Sequence, residues 1–337
     1  MMGMRTRFLS LAALLGVALF GAPVYGQVYV DVNSSPGGNG TSWAQALDTI
    51  QAGVDLASAT STPQVWVADG TYPEVDTNGG VSLIMRVNVG IYGGFAGPGD
   101  TQFSDRDPAL NVTIIRGTAV SQGTNVSVAP VVWGESVATL DGFTIQGGRA
   151  DNGGGMYNGG KSPTVNNCIF KNNRAIGVTG IGGAVFNYQD ATPTFTNCRF
   201  ENNKAVLGGG AIENYIRSHA IIRDCVFVNN NARLGGAVLN NKSSGVFDNC
   251  QFIGNSASPQ VLGQQPSDAV GGAFYNVSRL ESQFPGADTS DQIVSNCLFI
   301  NNTSDGSAGA IYNGESKGRY INCTVVNNTA GQAGGIF

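Results

Sequence analysis

Few residues in this sequence carry reactive side chains, and their spacing limits what they can do. Six are cysteines: Cys168, Cys198, Cys225, Cys250, Cys297 and Cys323. A zinc site needs close cysteine or histidine pairs. None of these cysteines has a near neighbour, and His219 is the single histidine, so no metal and no cofactor is expected. Glycan hydrolysis needs two carboxylates facing across a cleft, and lyase chemistry needs grouped acids with a basic partner. The acids here are scattered. Glu213 is one acid in an otherwise apolar and aromatic column. Arg223, Asp224 and Asp248 fall at the corners of two successive repeats, where an Arg223–Asp248 surface ion pair is expected. Asp268, Asp288 and Asp291 lie in two long insertions and could bind a cation. For Glu213 and the insertion acids, a solvated carboxylate is the plainer expectation.

The spacing of the cysteines leads to the elements that must position everything else. From Thr139 onward the chain repeats every 25 to 30 residues or so, with one wider interval around GGAFYN (271–276). A period of this size marks a solenoid. Each repeat holds two strand-like segments. In the first (TVNNCIFKNNRA, 164–175, for example) the residue two after cysteine is Phe170, Phe200, Phe227, Phe252, Phe299 or Val325. Alternation puts cysteine and this residue on one face, the interior. Five after cysteine stands asparagine without exception: Asn173, Asn203, Asn230, Asn255, Asn302 and Asn328. Stacked in register, these form a ladder in which each amide donates to one coil and accepts from another. Asparagine also tolerates the left-handed backbone of a tight corner.

The second segment carries GGGMYN (153–158), GGAVFN (182–187), GGAIEN (209–214), GGAVLN (235–240), GGAFYN (271–276) and AGAIYN (308–313). Its apolar fourth residue is expected inward. The next residue, Tyr157, Phe186, Glu213, Leu239, Tyr275 or Tyr312, is then outward, and the final asparagine forms a second inward ladder. The cysteines, one per coil in one column, are expected to be buried free thiols. In-register Cβ atoms on neighbouring parallel strands sit about 4.8 Å apart, whereas a disulfide needs about 3.8 Å.

Other segments frame the repeat. Arg5 and Arg7 precede a short apolar run, Phe8 to Phe20, and small residues follow. This is the pattern of a secretory signal, 1–26, and the run is too short for a membrane span. Residues 27–64 read as an N-terminal cap: a strand at VYVDV (28–32), then an amphipathic helix begun by Ser42 with Trp43, Leu47, Ile50, Val54 and Ala57 on one face. Residues 65–138 read as irregular first coils and 139–337 as regular coils, truncated at GGIF (334–337). Net charge −5 and 12% charged residues give no electrostatic case for nucleic acid.

The GGAI motif at 209–212, its variants, and the FxxN tetrads (FKNN 170–173, FENN 200–203, FVNN 227–230, FIGN 252–255, FINN 299–302) resemble the repeats of polymorphic outer membrane proteins. The earlier stretches TSWAQALDTIQAGV, VWVADGTYPE, IYGGFAGPGD and NVTIIRG are similar to exported proteins of the pectate-lyase-like superfamily. The resemblance implies a right-handed parallel β-helix at the cell surface. Polymorphic members carry a C-terminal outer-membrane barrel that this sequence lacks. Pectinases of the superfamily carry an Asp-Asp pair and Gly-His-Gly, and neither occurs here.

The expected protein is therefore all-β: a right-handed parallel β-helix with an N-terminal capping helix, exported, and either secreted or held at the surface. Its expected role is a non-enzymatic, adhesin-like binding module. An extracellular polysaccharide lyase or hydrolase is the alternative, and a structural stalk the third reading. Expected partners are carbohydrate or a surface protein. They are met by the outward stripe Tyr157, Phe186, Leu239, Tyr275 and Tyr312, and by the insertions carrying Asp268, Asp288 and Asp291.

Overall fold

The computed structural model of the chain describes residues 26–59, 63–73, 83–117, 120–122, 125–127, 129–260, 263, 265–278 and 291–337. The expected signal segment, apart from Gly26, and Asp288 lie outside the described residues. Among them, no helix is long and apolar enough to cross a membrane.

Four parallel sheets wind into a right-handed β-helix, the hand that twisted strands impose on parallel crossovers. Sheet I has ten strands, from Val28–Val30 to Arg319–Ile321. Sheet II has nine, from Gly70–Pro73 to Thr324–Val326. Sheet III has seven, most of them two residues long, starting at Arg149–Ala150. Sheet IV has eight, from Leu83–Ile84 to Ile311–Gly314. One antiparallel hairpin, 120–122 with 125–127, stands apart from the stack.

Register follows the columns of the sequence. Phe170 pairs with Phe200, Phe200 with Phe227, Phe227 with Phe252, and Phe252 with Phe299. Their rings stack at centroid spacings of 5.0, 4.8, 4.7 and 4.6 Å inside the core. That is close to the strand spacing itself, so each ring rests on the next. Cys168, Cys198, Cys225, Cys250 and Cys297 are buried beside them as free thiols, and Cys323 is half-buried. Each thiol points at a carbonyl of the coil before, as Cys250 does at Ile222 (3.6 Å). Burial pushes the Cys168 thiol up to about 12.

The asparagine ladder closes the corner between sheets II and III. Asn230 Nδ2 donates to Phe200 O (2.9 Å) and to Asn255 Oδ1 (3.0 Å). Its Oδ1 accepts from the backbone N and the Nδ2 of Asn203, both at 3.0 Å. The left-handed backbone falls one residue earlier than expected, on Asn172, Asn202, Asn229, Asn301 and Asn327 at φ 54 to 56°, or on Gly254. The corner thus divides two tasks that the sequence assigned to one residue. The first asparagine turns the chain, which leaves the second amide aimed along the stack. The second inward ladder also forms, with Nδ2 to Oδ1 steps of 2.7 to 3.0 Å through Asn158, Asn187, Asn214, Asn240, Asn276 and Asn313. A third, exposed ladder was not foreseen. It runs through left-handed corner residues before the cysteines, as in Asn197 to Asn167 (2.7 Å) and Asn322 to Asn296 (2.8 Å).

The helix differs from its expected limits. Trp43–Gln45 is a single 3-10 turn, and Ser42 makes no side-chain cap. The α-helix, α1, spans Ile50–Ala57, and Thr49 caps it by accepting from the Ala52 N–H. Leu47 is extended because it completes the edge of sheet I. Its N–H bonds Tyr29 O and its carbonyl accepts from Asp31 N. The open edge of a sheet outcompetes one more helical turn. Ile50, Val54 and Ala57 join the core, and Gly53 lets α1 approach closely, since a Cβ there would lie 2.5 Å from Val30. From the other face Gln51 reaches the edge of sheet IV. Its amide accepts from Ile84 N (2.7 Å) and donates to Ile84 O (3.3 Å), as a neighbouring strand would.

Two measurements check this interior. Asn230→Ala strands several buried partners at once and is expected to cost about 2–4 kcal/mol in urea unfolding. Asn249→Gly, which removes an exposed ladder amide and keeps the left-handed turn at φ 52°, is expected to cost under about 1 kcal/mol. An Asn230→Ala cost also under about 1 kcal/mol would show that the interior ladder is dispensable. Thiol labelling at pH 8 is expected to reach Cys323 first in the native protein and all six cysteines in denaturant without reductant. Fewer than six reactive thiols in denaturant would mean disulfides.

The outer face of sheet IV as a candidate binding site

The outward column of sheet IV runs in register through Ile84, Trp133, Tyr157, Phe186, Glu213, Leu239, Tyr275 and Tyr312. Simple alternation predicts that all of it faces solvent. The structure corrects this for its middle: Phe186, Glu213 and Leu239 are buried. The double glycine is responsible. Between sheets III and IV a one-residue column of parallel bridges runs Asn152, Ile181, Gly208, Leu234, Val270 and Ser307. The glycine after it takes φ 58 to 68° at Gly153, Gly182, Gly209, Gly235 and Gly271 and folds the backbone over the strand that follows. A Cβ on Gly153 would lie 3.1 Å from Phe186 Cβ, and one on Gly271 3.1 Å from Tyr275 Cβ. The motif that permits the bend therefore also roofs the stripe.

What stays accessible is a different set of rings. Two residues further along each strand, Tyr188 and Tyr215 are half-buried, beyond the roof. They stack on each other (5.9 Å) and Tyr188 stacks on Phe186 (5.6 Å). Toward the N-terminal end, Trp133 precedes the first roof residue and is 40% exposed, with its ring 4.9 Å from Tyr157. At the other end Tyr275 and Tyr312 are half-buried and meet edge to face at 5.2 Å. Reading one outward column per strand overlooked Trp133, Tyr188 and Tyr215. The tyrosine after the ladder asparagine, in FNY and ENY, was the available signal.

Glu213 is the exception in the roofed column. It is 1% exposed, between Phe186 and Leu239, and its Oε2 has no hydrogen-bond partner. A Cβ on Gly208 would lie 2.8 Å from that oxygen, so only a glycine roof leaves room for the carboxyl. Burial raises its pKa well above the ordinary carboxylate value. The expectation of a solvated acid is thus corrected. The column places position 213 under the roof whatever residue stands there.

The remaining acids do not converge. Asp268 ends a 3-10 turn, Pro266–Asp268, and lines a cleft of about 380 Å³ with Lys242, Tyr215 and Tyr275. Asp291 lies beyond the other end of the Phe274–Val277 strand, where its N–H bonds Ser244 Oγ. Asp248 accepts from Ser295 Oγ (2.7 Å) and Asn296 Nδ2 (2.9 Å), which hold its carboxyl below the usual range. Arg223 lies opposite Asp248 in the register and lowers its pKa only as a nearby charge, so the expected pair gives way to amide and hydroxyl donors from the next coil. Among the described residues no group of three or more His, Cys, Asp or Glu side chains gathers as a metal site would require.

The sequence matches the family model of the right-handed beta helix region over residues 109–279 and 194–336, and the chain belongs to that family. Among solved structures it is similar to a pectin methylesterase from Aspergillus niger, at 14% identity and TM-score 0.41, over 93% of this chain and 87% of that one. It is also similar to the A-module of the mannuronan C-5 epimerase AlgE6 from Azotobacter vinelandii, at 17% identity and TM-score 0.34, over 83% of this chain and 73% of that one. A search of curated protein sequences found no match.

The buried Glu213 carboxyl makes a signed prediction. Its folded pKa lies above its unfolded value of about 4.3. Stability linked to it is therefore whole below that pH and is lost as pH rises toward the folded pKa. Glu213→Leu, which matches Leu239 next in the column, is expected to be more stable than the parent above pH 5. The gap should widen by up to about 1.4 kcal/mol per pH unit while Glu213 stays protonated. A pH-independent difference in urea midpoints would contradict the assignment.

Proposed function

We propose that this chain is an exported, non-enzymatic binding module of adhesin type that presents the outer face of sheet IV to carbohydrate. The observation that carries the reading is the row of partly exposed rings along the solenoid axis. It comprises Trp133 and Tyr157 in one register column and Tyr188 and Tyr215 in the column two residues further along, on four successive strands of sheet IV. Within each column the rings follow one another at 4.9 Å (Trp133 to Tyr157) and 5.9 Å (Tyr188 to Tyr215), comparable to the length of one sugar residue in an extended chain. The tilted Trp133 and Tyr157 rings can take the C–H face of a pyranose, while Tyr188 and Tyr215, stacked on each other, offer it their edges and hydroxyls. Export rests on the basic and apolar start of the sequence, Arg5, Arg7 and Phe8 to Phe20.

Glycan cleavage is a second reading, favoured by Glu213 alone. An acid whose pKa is raised by burial is the form a general acid takes. Among the described residues no second carboxylate touches it, which is why binding without turnover is preferred.

A glycan array with the mature protein is the direct test, run beside assays for new reducing ends and unsaturated products. Binding without turnover is expected, with loss of about tenfold or more in Tyr188→Ala combined with Tyr215→Ala. Turnover abolished by Glu213→Gln would replace this reading with the enzymatic one. An array with no glycan bound would leave neither.

A further inference from the structure

A second feature of sheet IV is specific enough to name a ligand. At its N-terminal end, ahead of the glycine roof, Ile84, Trp133, Gly134, Glu135, Tyr157, Gly159 and Lys161 line a cleft of about 490 Å³. The Trp133 and Tyr157 rings meet at 49°, so they form two walls of a trough and not one flat platform. Gly159 makes this possible, because a Cβ there would lie 2.6 Å from Tyr157 Cε1 and force the ring off the strand.

The polar wall is an ion pair. Lys161 Nζ lies 2.7 Å from Glu135 Oε1 and 3.0 Å from Oε2, and Glu135 Oε1 also accepts from Ser136 N (2.8 Å). Burial raises the Glu135 pKa, but the bond from Lys161 and the Ser136 N–H outweigh it and hold the carboxyl ionised. The pair leaves hydrogen-bonding capacity unused on both sides. The ammonium has three donors and only one carboxylate to satisfy, and Oε2 has room for a further donor. A donor and an acceptor therefore stand side by side at the rim of an aromatic trough. Two neighbouring hydroxyls of a sugar ring offer the complementary acceptor and donor.

Charge narrows the ligand further. A carboxylated sugar brought to this wall would meet Glu135, and a cation over the rings would meet Lys161. Each gains from one partner what it loses to the other and gives up its own hydration besides, so a charged ring binds at a net cost that a neutral one avoids. We propose that this cleft binds a single neutral pyranose ring, stacked on Trp133 and Tyr157, with a vicinal diol bridging Glu135 and Lys161. The proposal rests on the carbohydrate reading above and adds a place and a sugar class to it.

The experiment is calorimetric and fluorescence titration of the mature protein with methyl glycosides of glucose, galactose and mannose and with the corresponding uronic acids. At least one neutral glycoside is expected to saturate the protein and to bind about tenfold or more tightly than its uronic counterpart. Trp133→Ala and Lys161→Met are each expected to weaken it by about tenfold, and Trp133→Phe to keep most of the affinity. Circular dichroism identifies any variant that fails to fold, and Lys161→Met, which keeps the length of the lysine stem, then carries the test. Preference for uronic acids overturns the proposal. So does full binding by Trp133→Ala and Lys161→Met; if Tyr188→Ala with Tyr215→Ala then abolishes it, the carbohydrate reading stands with its site elsewhere. A glycan array that binds polymers while no neutral glycoside titrates also overturns the proposal. An array with no binding at all removes the carbohydrate reading itself, and this site with it.

Discussion

The fold depends on how a buried corner satisfies its backbone. A parallel coil must turn sharply between sheets II and III, and each turn takes polar groups away from both ladders and water. The asparagine column answers this with amides that bond up and down the stack, four bonds apiece in its middle. An amide is suited to this because it carries donors and acceptor on one planar group. A slip of one coil by one residue would strand several such groups, so the ladder also sets register.

Fixed register makes the rest of the interior additive. Phenylalanine rests on phenylalanine, thiol follows thiol, and the second asparagine ladder runs along the inner side of sheet IV. Such columns leave little inside the solenoid for chemistry. Thiols whose pKa is pushed up by burial are poor nucleophiles. Function is displaced to the outer surface, where residues are free to differ from coil to coil.

On sheet IV the outer surface is itself divided. The backbone after sheet III turns at a left-handed glycine and lies over one outward column. It buries Phe186, Glu213 and Leu239, while Trp133 ahead of the roof and Tyr188 and Tyr215 beside it remain accessible. Glu213 shows the cost of placing a carboxyl under such a roof. It loses water and its Oε2 gains no partner, so its pKa rises well above the ordinary carboxylate value. The Glu135–Lys161 pair, outside the roof, shows the opposite case, a carboxylate kept ionised by a neighbour.

The sequence by itself determined the coil. Cysteine, phenylalanine and asparagine at constant offsets announce stacking, because only in-register stacking makes identical residues at identical places useful. The same offsets point both asparagine columns and the cysteine column inward; in the structure the amides bond coil to coil, and five of the six thiols are buried with Cys323 half-buried. Offsets along one strand carry no information about what crosses it from outside. That is why the roof, and with it the burial of Glu213, Phe186 and Leu239, was decided only by tertiary structure. The same holds for Leu47, which reads as helical by spacing but is drawn into the edge of sheet I. It holds most of all for the cleft at Trp133, whose walls come from three strands and the turns beyond two of them. Short-range pattern fixes which way a side chain points, and only the packed chain fixes what meets it there.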